Sequence, residues 1–100
     1  MTIEKKENGK ETTLIPVGRL DTTTAPQLEE QINAVSEETE RLILDFQNLD
    51  YLSSAGLRVL LAAHKVYMKR AGGEMIIRHV NETIQEVFEV TGFLDILNIE

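Results

Sequence analysis

Two adjacent serines, Ser53 and Ser54, stand before Ala55, Gly56 and a long apolar run, and of all residues in the chain they are best placed to do chemistry. A serine at the start of a helix has two uses. Its side-chain oxygen can accept from the unpaired backbone N–H groups of the first turn. Its hydroxyl can also carry a phosphoryl group, because that end of a helix has partial positive charge and free donors that suit an anion. Either Ser53 or Ser54 can serve as the cap. A nucleophilic serine is the competing chemistry. The hydrolase elbow reads Gly-x-Ser-x-Gly, and here Gly56 fills the second glycine position while Leu52 occupies the first. A serine hydrolase also needs a histidine within hydrogen-bond reach, and His64 lies about three helical turns from Ser54, roughly 15 Å by helical rise. Only His79 remains as a base, so the expectation is a chain that is not an enzyme.

The serines need elements to hold them. Arg41 to Phe46 is rich in branched and aliphatic residues and short enough for a central strand, and Asn48 and Asp50 supply turn chemistry after it. The helix that follows the serines carries Leu57, Leu60, Leu61, His64, Met68 and Ala71 along one stripe, widened by Val59, Ala63 and Val66. Arg58, Ala62, Lys65 and Lys69 share its opposite face, which is ordinarily a solvated one. Gly72-Gly73 stops this helix, and Glu74 to His79 reads as another strand.

Upstream, Ile3 to Lys6 and Thr12 to Val17 flank Asn8-Gly9, a dipeptide suited to the positive backbone dihedrals of a tight hairpin turn. Pro16 has no N–H for a ladder bond, which predicts an edge-facing position or a bulge. Gly18-Arg19-Leu20-Asp21 ends that strand in a turn, with Asp21 as its starter. Ala25, Leu28, Ile32 and Val35 recur at helical spacing behind Thr24, a cap, and Pro26, which fits a first turn. Ser36 to Glu40 links this helix to the central strand, and a helix between two strands implies that they run parallel. Asn81 can cap a third helix containing Ile84, Val87, Phe88 and Thr91, with Gly92 as its stop. The closing FLDILNI is either a terminal helical turn or a covering strand. His64 and His79 are unclustered and read as structural or surface residues.

Composition bounds the function. One hundred residues with 42% hydrophobic content make a single domain, residues 1–100, with a core of its own. No apolar run approaches a membrane span and the charged start MTIEKKENGK lacks the apolar region of a signal peptide, so the expectation is a cytoplasmic protein without membrane insertion. Without cysteine there is no disulfide or zinc-thiolate site, and no cofactor or metal is expected. A net charge of −7 opposes nonspecific binding to nucleic acid, which leaves protein partners.

The run LDFQNLDYLSSAGLRVLL resembles the strand, loop and helix of the STAS domain family, typified by bacterial anti-sigma-factor antagonists. Asp45 matches the aspartate that ends the family's strand, Leu49 and Leu52 match apolar loop positions, and Ser54-Ala55-Gly56-Leu57 matches the phosphorylation motif. Gly18-Arg19-Leu20-Asp21 resembles the family's Gly-x-Leu/Ile-Asp signature. One residue departs: Ser53 stands where the family has an aspartate, and it supplies a second possible acceptor. The resemblance implies an α/β fold in which an N-terminal hairpin leads into parallel strands of a mixed sheet packed with helices, ending in a short helix. It implies phosphorylation at Ser54, with Ser53 as the alternative. It also implies a partner surface made of Asp21, Ser53, Ser54, Ala55, Gly56, Leu57 and Arg58. The implied partners are an anti-sigma factor that is also a GHKL-type serine kinase, bringing its own ATP and Mg²⁺, and a phosphoserine phosphatase. The resemblance further implies that the unmodified domain binds the anti-sigma factor and frees a sigma factor, and that phosphorylation ends that interaction. STAS domains also serve as scaffolds in signalling assemblies and as small subunits of lipid-transport ATPases, which is the alternative.

Overall fold

The computed structural model describes residues 1–100. Strands β1 (Thr2–Asn8) and β2 (Glu11–Leu20) form an antiparallel hairpin, with register from Thr2↔Val17 to Asn8↔Glu11. Its two-residue turn is Gly9-Lys10, one position later than the Asn8-Gly9 reading. Asn8 closes β1 and Gly9 takes the first central position with φ +64°, where a type II′ turn requires a positive value.

After the hairpin come α1 (Ala25–Asn33), β3 (Arg41–Asp45), β4 (Leu49–Leu52), α2 (Ser54–Met68), β5 (Glu74–Arg78), α3 (Glu82–Thr91) and a 3₁₀ turn over Phe93–Asp95. The sheet runs β1-β2-β3-β5, with β4 also on β2, and β2 is parallel to both β3 and β4, as β3 is to β5. A hairpin leading into parallel strands is the mixed sheet that the sequence implied.

Strand β4 is the departure: Asn48 lies in the turn its chemistry suggests, whereas Asp50, read the same way, falls within the strand. Its cause lies in β2, which has ten residues against five in β3 and therefore runs on past its first partner. Glu11–Leu14 pairs with β3, and Gly18–Leu20 pairs with β4 across a register shift between Gly18 and Arg19. Pro16 falls in the interval. It is buried and aligned with Ile3 of β1 on one side, while neither β3 nor β4 reaches it on the other. The Gly18 N–H donates to the Asn48 carbonyl on that second side at 3.0 Å, and strand alternation puts the donor missing from Pro16 on the same side. Pro16 therefore sits at a seam between two partner strands, its donor side unpaired as expected and an irregularity of the strand two residues on, and it costs no ladder bond.

One sheet face sends Leu14, Leu42, Leu44, Met75 and Ile77 into the core, where Leu28 and Ile32 of α1, Leu57 and Leu60 of α2, and Ile84 and Phe88 of α3 meet them. Helix α2 is turned relative to its sequence stripe. Its buried line is Gly56, Leu57, Val59, Leu60, Ala63 and Tyr67, whereas Val66, Met68 and Ala71 are exposed. The reason is α1, which packs alongside α2 and shares with it a cleft lined by Ile32, Val35, Val59, Ala63 and Tyr67, so the buried arc widens toward α1. Val35, read as helical, lies just past α1 and is still buried.

The remaining stops follow the sequence. The Asn81 side chain accepts from the Ile84 N–H at 2.9 Å, and Gly92 ends α3 with φ +79°. The terminal segment takes the helical reading, as a 3₁₀ turn, and adds a single bridge where a covering strand was the other possibility. After the 3₁₀ turn, Ile99 aligns in parallel with Ile77 on the free edge of β5, with Ile77 N–H to Asn98 O and Glu100 N–H to Ile77 O both at 2.9 Å.

Candidate functional site

Strands β2 and β4 end together, with Leu20 level with Leu52, and the two segments that leave them are stitched at once by the Ser53 N–H donating to the Leu20 carbonyl at 2.9 Å. This bond brings Asp21, Ser53 and Ser54 to one end of the sheet. Ser53 is the N-cap of α2: its backbone is extended, its hydroxyl oxygen accepts from the Gly56 N–H at 3.4 Å, and its carbonyl accepts from Leu57 N–H at 3.0 Å. The ambiguity between the serines is thereby resolved in favour of Ser53. Ser54 is the first residue of the helix and is exposed, while Ser53 is half-buried.

Gly56 explains how the helix can start so close to the sheet. A β-carbon there would stand 2.7 Å from Leu20 Cγ and 2.7 Å from Leu52 Cδ1, both in the core, so α2 can lie on the ends of β2 and β4 only without a side chain at this position. Leu57 is buried beside it and Ala55 half-buried, which leaves Ser54 and Arg58 facing outward.

Asp21 is the turn starter the sequence suggested. Its Oδ1 accepts from the Thr23 hydroxyl at 2.8 Å, Thr23 N–H at 3.0 Å and Thr24 N–H at 3.1 Å. The Thr23 hydroxyl, supported by the two N–H groups and opposed by desolvation, holds the Asp21 carboxyl below its ordinary value. Thr24 occupies the N-cap position of α1 without capping it. Its hydroxyl accepts from Asp21 N–H at 2.8 Å and donates to the Arg19 carbonyl at 2.7 Å, so the capping expected of Thr24 is replaced by a knot that binds the end of β2 to the start of α1.

Two features of this end escaped the sequence reading. Arg19 lies over the Tyr51 ring with its guanidinium 4.1 Å from the centroid, an exposed pair on neighbouring strands beside the serines. Their signal was cross-strand register, which exists only once β4 is recognised as a strand. The second is distance. Asp45 ends β3 level with Ile15, five positions before Leu20, so it lies roughly 16 Å from the serine end at the strand rise per residue. It is buried, accepts from Gln47 N–H at 3.1 Å and sits 2.9 Å from Nδ1 of His79, whose φ of +57° is the one positive value at a non-glycine residue. His79 thus pairs with Asp45 at the β3 and β5 ends, away from Ser54.

Residues 2–100 match the family model described as the STAS domain. Among curated proteins, BtrV of Bordetella bronchiseptica, named as a candidate anti-sigma factor antagonist, is 39% identical over 82% of this chain and 71% of its own length. The anti-sigma-B factor antagonist of Bacillus subtilis is 26% identical over 99% of this chain and 90% of its own. Among solved structures, the Bacillus cell fate determinant SpoIIAA in its phosphorylated form superposes with a TM-score of 0.74 at 17% identity, covering 99% of this chain and 91% of that one, which is a likeness of fold. No helix is long and apolar enough to cross a membrane.

Proposed function

This chain belongs to the STAS domain family, and from that premise we propose that it is an anti-sigma-factor antagonist whose binding is switched by phosphorylation of Ser54. The observation that carries the reading is the division of labour between the serines. Ser53 is half-buried and spends its oxygen on the Gly56 N–H, whereas Ser54 is exposed on the first turn with nothing inside the chain to hold its hydroxyl. The relatives named as anti-sigma factor antagonists support the partner, and a SpoIIAA structure in a phosphorylated form supports the modification.

In this reading the chain is a kinase substrate, not a catalyst. The Ser54 hydroxyl attacks the γ-phosphorus of ATP held with Mg²⁺ on the anti-sigma factor, a GHKL-type kinase; ADP leaves and the hydroxyl proton is lost to a base of the kinase. A phosphoserine phosphatase reverses the mark by hydrolysis. The surface offered to the anti-sigma factor comprises Asp21, Ser53, Ser54, Ala55 and Arg58, while Gly56 and Leu57, expected in it from the sequence, are buried and support it from beneath. Glycine and alanine keep it low, and the turn at Asp21 fixes its shape. The placement of His79 against Asp45 supports the absence of a hydrolase triad at Ser54.

Incubation with the cognate kinase and ATP, followed by mass-spectrometric site mapping, tests the reading. Phosphate on Ser54 is the expected product; phosphate on Ser53 alone, or on neither, overturns the assignment. Recovery of a transporter ATPase and no kinase in a pulldown from the native cell would replace the antagonist with an accessory subunit.

A further inference from the structure

Arg58 is the arginine that the fold leaves unspent. Of the five arginines, Arg19 meets Tyr51 and Asp21, Arg41 meets Glu11 and Glu74, Arg70 reaches the Thr39 carbonyl and the Tyr67 ring, and Arg78 meets Glu100. Arg58 has no ion pair, hydrogen bond or aromatic partner, in a chain where 17 acidic residues outnumber 10 basic ones. Its place is specific: it stands four residues after Ser54 on α2, and both are exposed.

Residues four apart lie on one face of a helix, roughly 5–6 Å between Cβ atoms. Helical side chains also lean toward the N-terminus, so the Arg58 stem extends over the turn that begins with Ser54. The nearby carboxylate of Asp21 does not compete for it, since Oδ1 is held by Thr23 and Thr24 and Oδ2 faces Arg19 at 3.8 Å.

We infer that Arg58 is the intramolecular partner of phosphorylated Ser54. The inference rests on the modification proposed above and adds what the phosphate does once it is there. A neutral serine hydroxyl gives a guanidinium little reason to fold back, so in the unmodified protein Arg58 remains a free cation on the surface. A phosphate presents about −1.5 to −2 charge and three acceptor oxygens, which the planar guanidinium fork matches in two-point fashion. Phosphorylation then changes the surface twice, adding an anion at Ser54 and withdrawing the cation at Arg58. The paired guanidinium also favours the dianion, which lowers the second ionisation of the phosphate.

The test is made on the full chain with phosphoserine placed at position 54 by expanded-code translation, so that it needs neither kinase nor anti-sigma factor. The titration of the phosphate is followed by ³¹P NMR in the parent, in Arg58→Gln and in Arg58→Lys, with thermal melts to establish that each is folded. Arg58→Gln is expected to move the midpoint to higher pH by about 0.2–0.4 of a unit, the equivalent of a surface helix ion pair. Arg58→Lys, which keeps the charge without the fork, falls between the two, and added salt narrows the gap. A midpoint in folded Arg58→Gln that coincides with the parent's overturns the inference and leaves the kinase reading standing. A failed kinase mapping overturns the kinase reading and leaves this titration to be read on its own.

Discussion

The two ends of helix α2 use their polar residues in opposite ways. At the N-terminal end Ser53 and Gly56 are consumed by the fold, one as a cap and the other by close packing, while Ser54 and Arg58 are left without partners inside the chain. At the C-terminal end the arginine is spent on the fold. Arg70 donates to the Thr39 carbonyl at 3.0 Å and covers the Tyr67 ring at 4.4 Å, and Tyr67 itself is 2% exposed. One end of the helix therefore presents groups, and the other fastens the helix to the loop before β3. The serine and the arginine proposed to act on this helix are both ones that the fold has not used.

The largest effect should come from changing the presented end. A phosphate at Ser54 must be desolvated at an interface shaped for a hydroxyl, and an uncompensated charge there costs about 2–5 kcal/mol. At about 1.4 kcal/mol per tenfold, anti-sigma binding weakens roughly 30-fold to several-thousand-fold. Ser54→Asp reproduces part of the loss, and Ser54→Ala binds yet resists release by ATP. Calorimetry on the three forms, with melts in parallel, checks this, and the melts should barely move because a helix N-terminus tolerates negative charge. Tight binding by Ser54→Asp, or weak binding that comes with a collapsed melt, would falsify the switch.

Changing the groups the fold has consumed should give the reverse pattern, with stability falling first. Gly56→Ala pushes a methyl group against Leu20 and Leu52 at 2.7 Å and should cost about 1–3 kcal/mol in denaturant unfolding, the usual range for overpacking. Binding then weakens because Ser54 is displaced. A variant as stable as the parent would mean that the helix start can lift from the sheet freely. Ser53→Ala removes a cap whose hydrogen bond is long, 3.4 Å, so the loss should lie near the low end for caps, about 0.5–1 kcal/mol. Ser53→Asp, which restores an acidic N-cap, should recover it.

The presented end was legible from the sequence because its constraints are local. A serine before a helix, a glycine at a fixed offset and a polar face on a 3.6-residue period can all be read from neighbours in the chain, and Asn81 and Gly92 were legible for the same reason. Most of what the sequence did not reveal depends on distant partners, the one-residue shift of the hairpin turn and the diverted hydroxyl of Thr24 being local exceptions. Leu49–Leu52 becomes a strand because β2 overruns β3, a fact of register. The inward turn of Tyr67 and outward turn of Met68 depend on where α1 packs, and the contact of His79 with Asp45 depends on the pairing of β3 with β5.

The smallest effect concerns the fastened end. The Tyr67 hydroxyl is buried without a hydrogen-bond partner, and Arg70, the charged group over its ring, has only donors and cannot take the phenol proton. Burial pushes the Tyr67 phenol above its ordinary value, against the opposing pull of Arg70. The sign follows directly. An unfolded chain releases this proton near the ordinary tyrosine value, about 10, while the folded chain holds it to higher pH, so the contribution of Tyr67 is complete below that value and is lost as pH rises toward the raised native one. Tyr67→Phe removes both the unpaired hydroxyl and the titration. At neutral pH it should be neutral or stabilising by up to about 1 kcal/mol, since the lost group satisfied nothing. Above about pH 10 the advantage over the parent should grow, because only the parent's unfolded state gains from ionising. Urea unfolding of both proteins at neutral pH and at two alkaline values decides it. A Tyr67→Phe variant that is less stable than the parent by more than about 1 kcal/mol at neutral pH would show that the hydroxyl has a partner, and the fastened end would then hold a polar contact of its own.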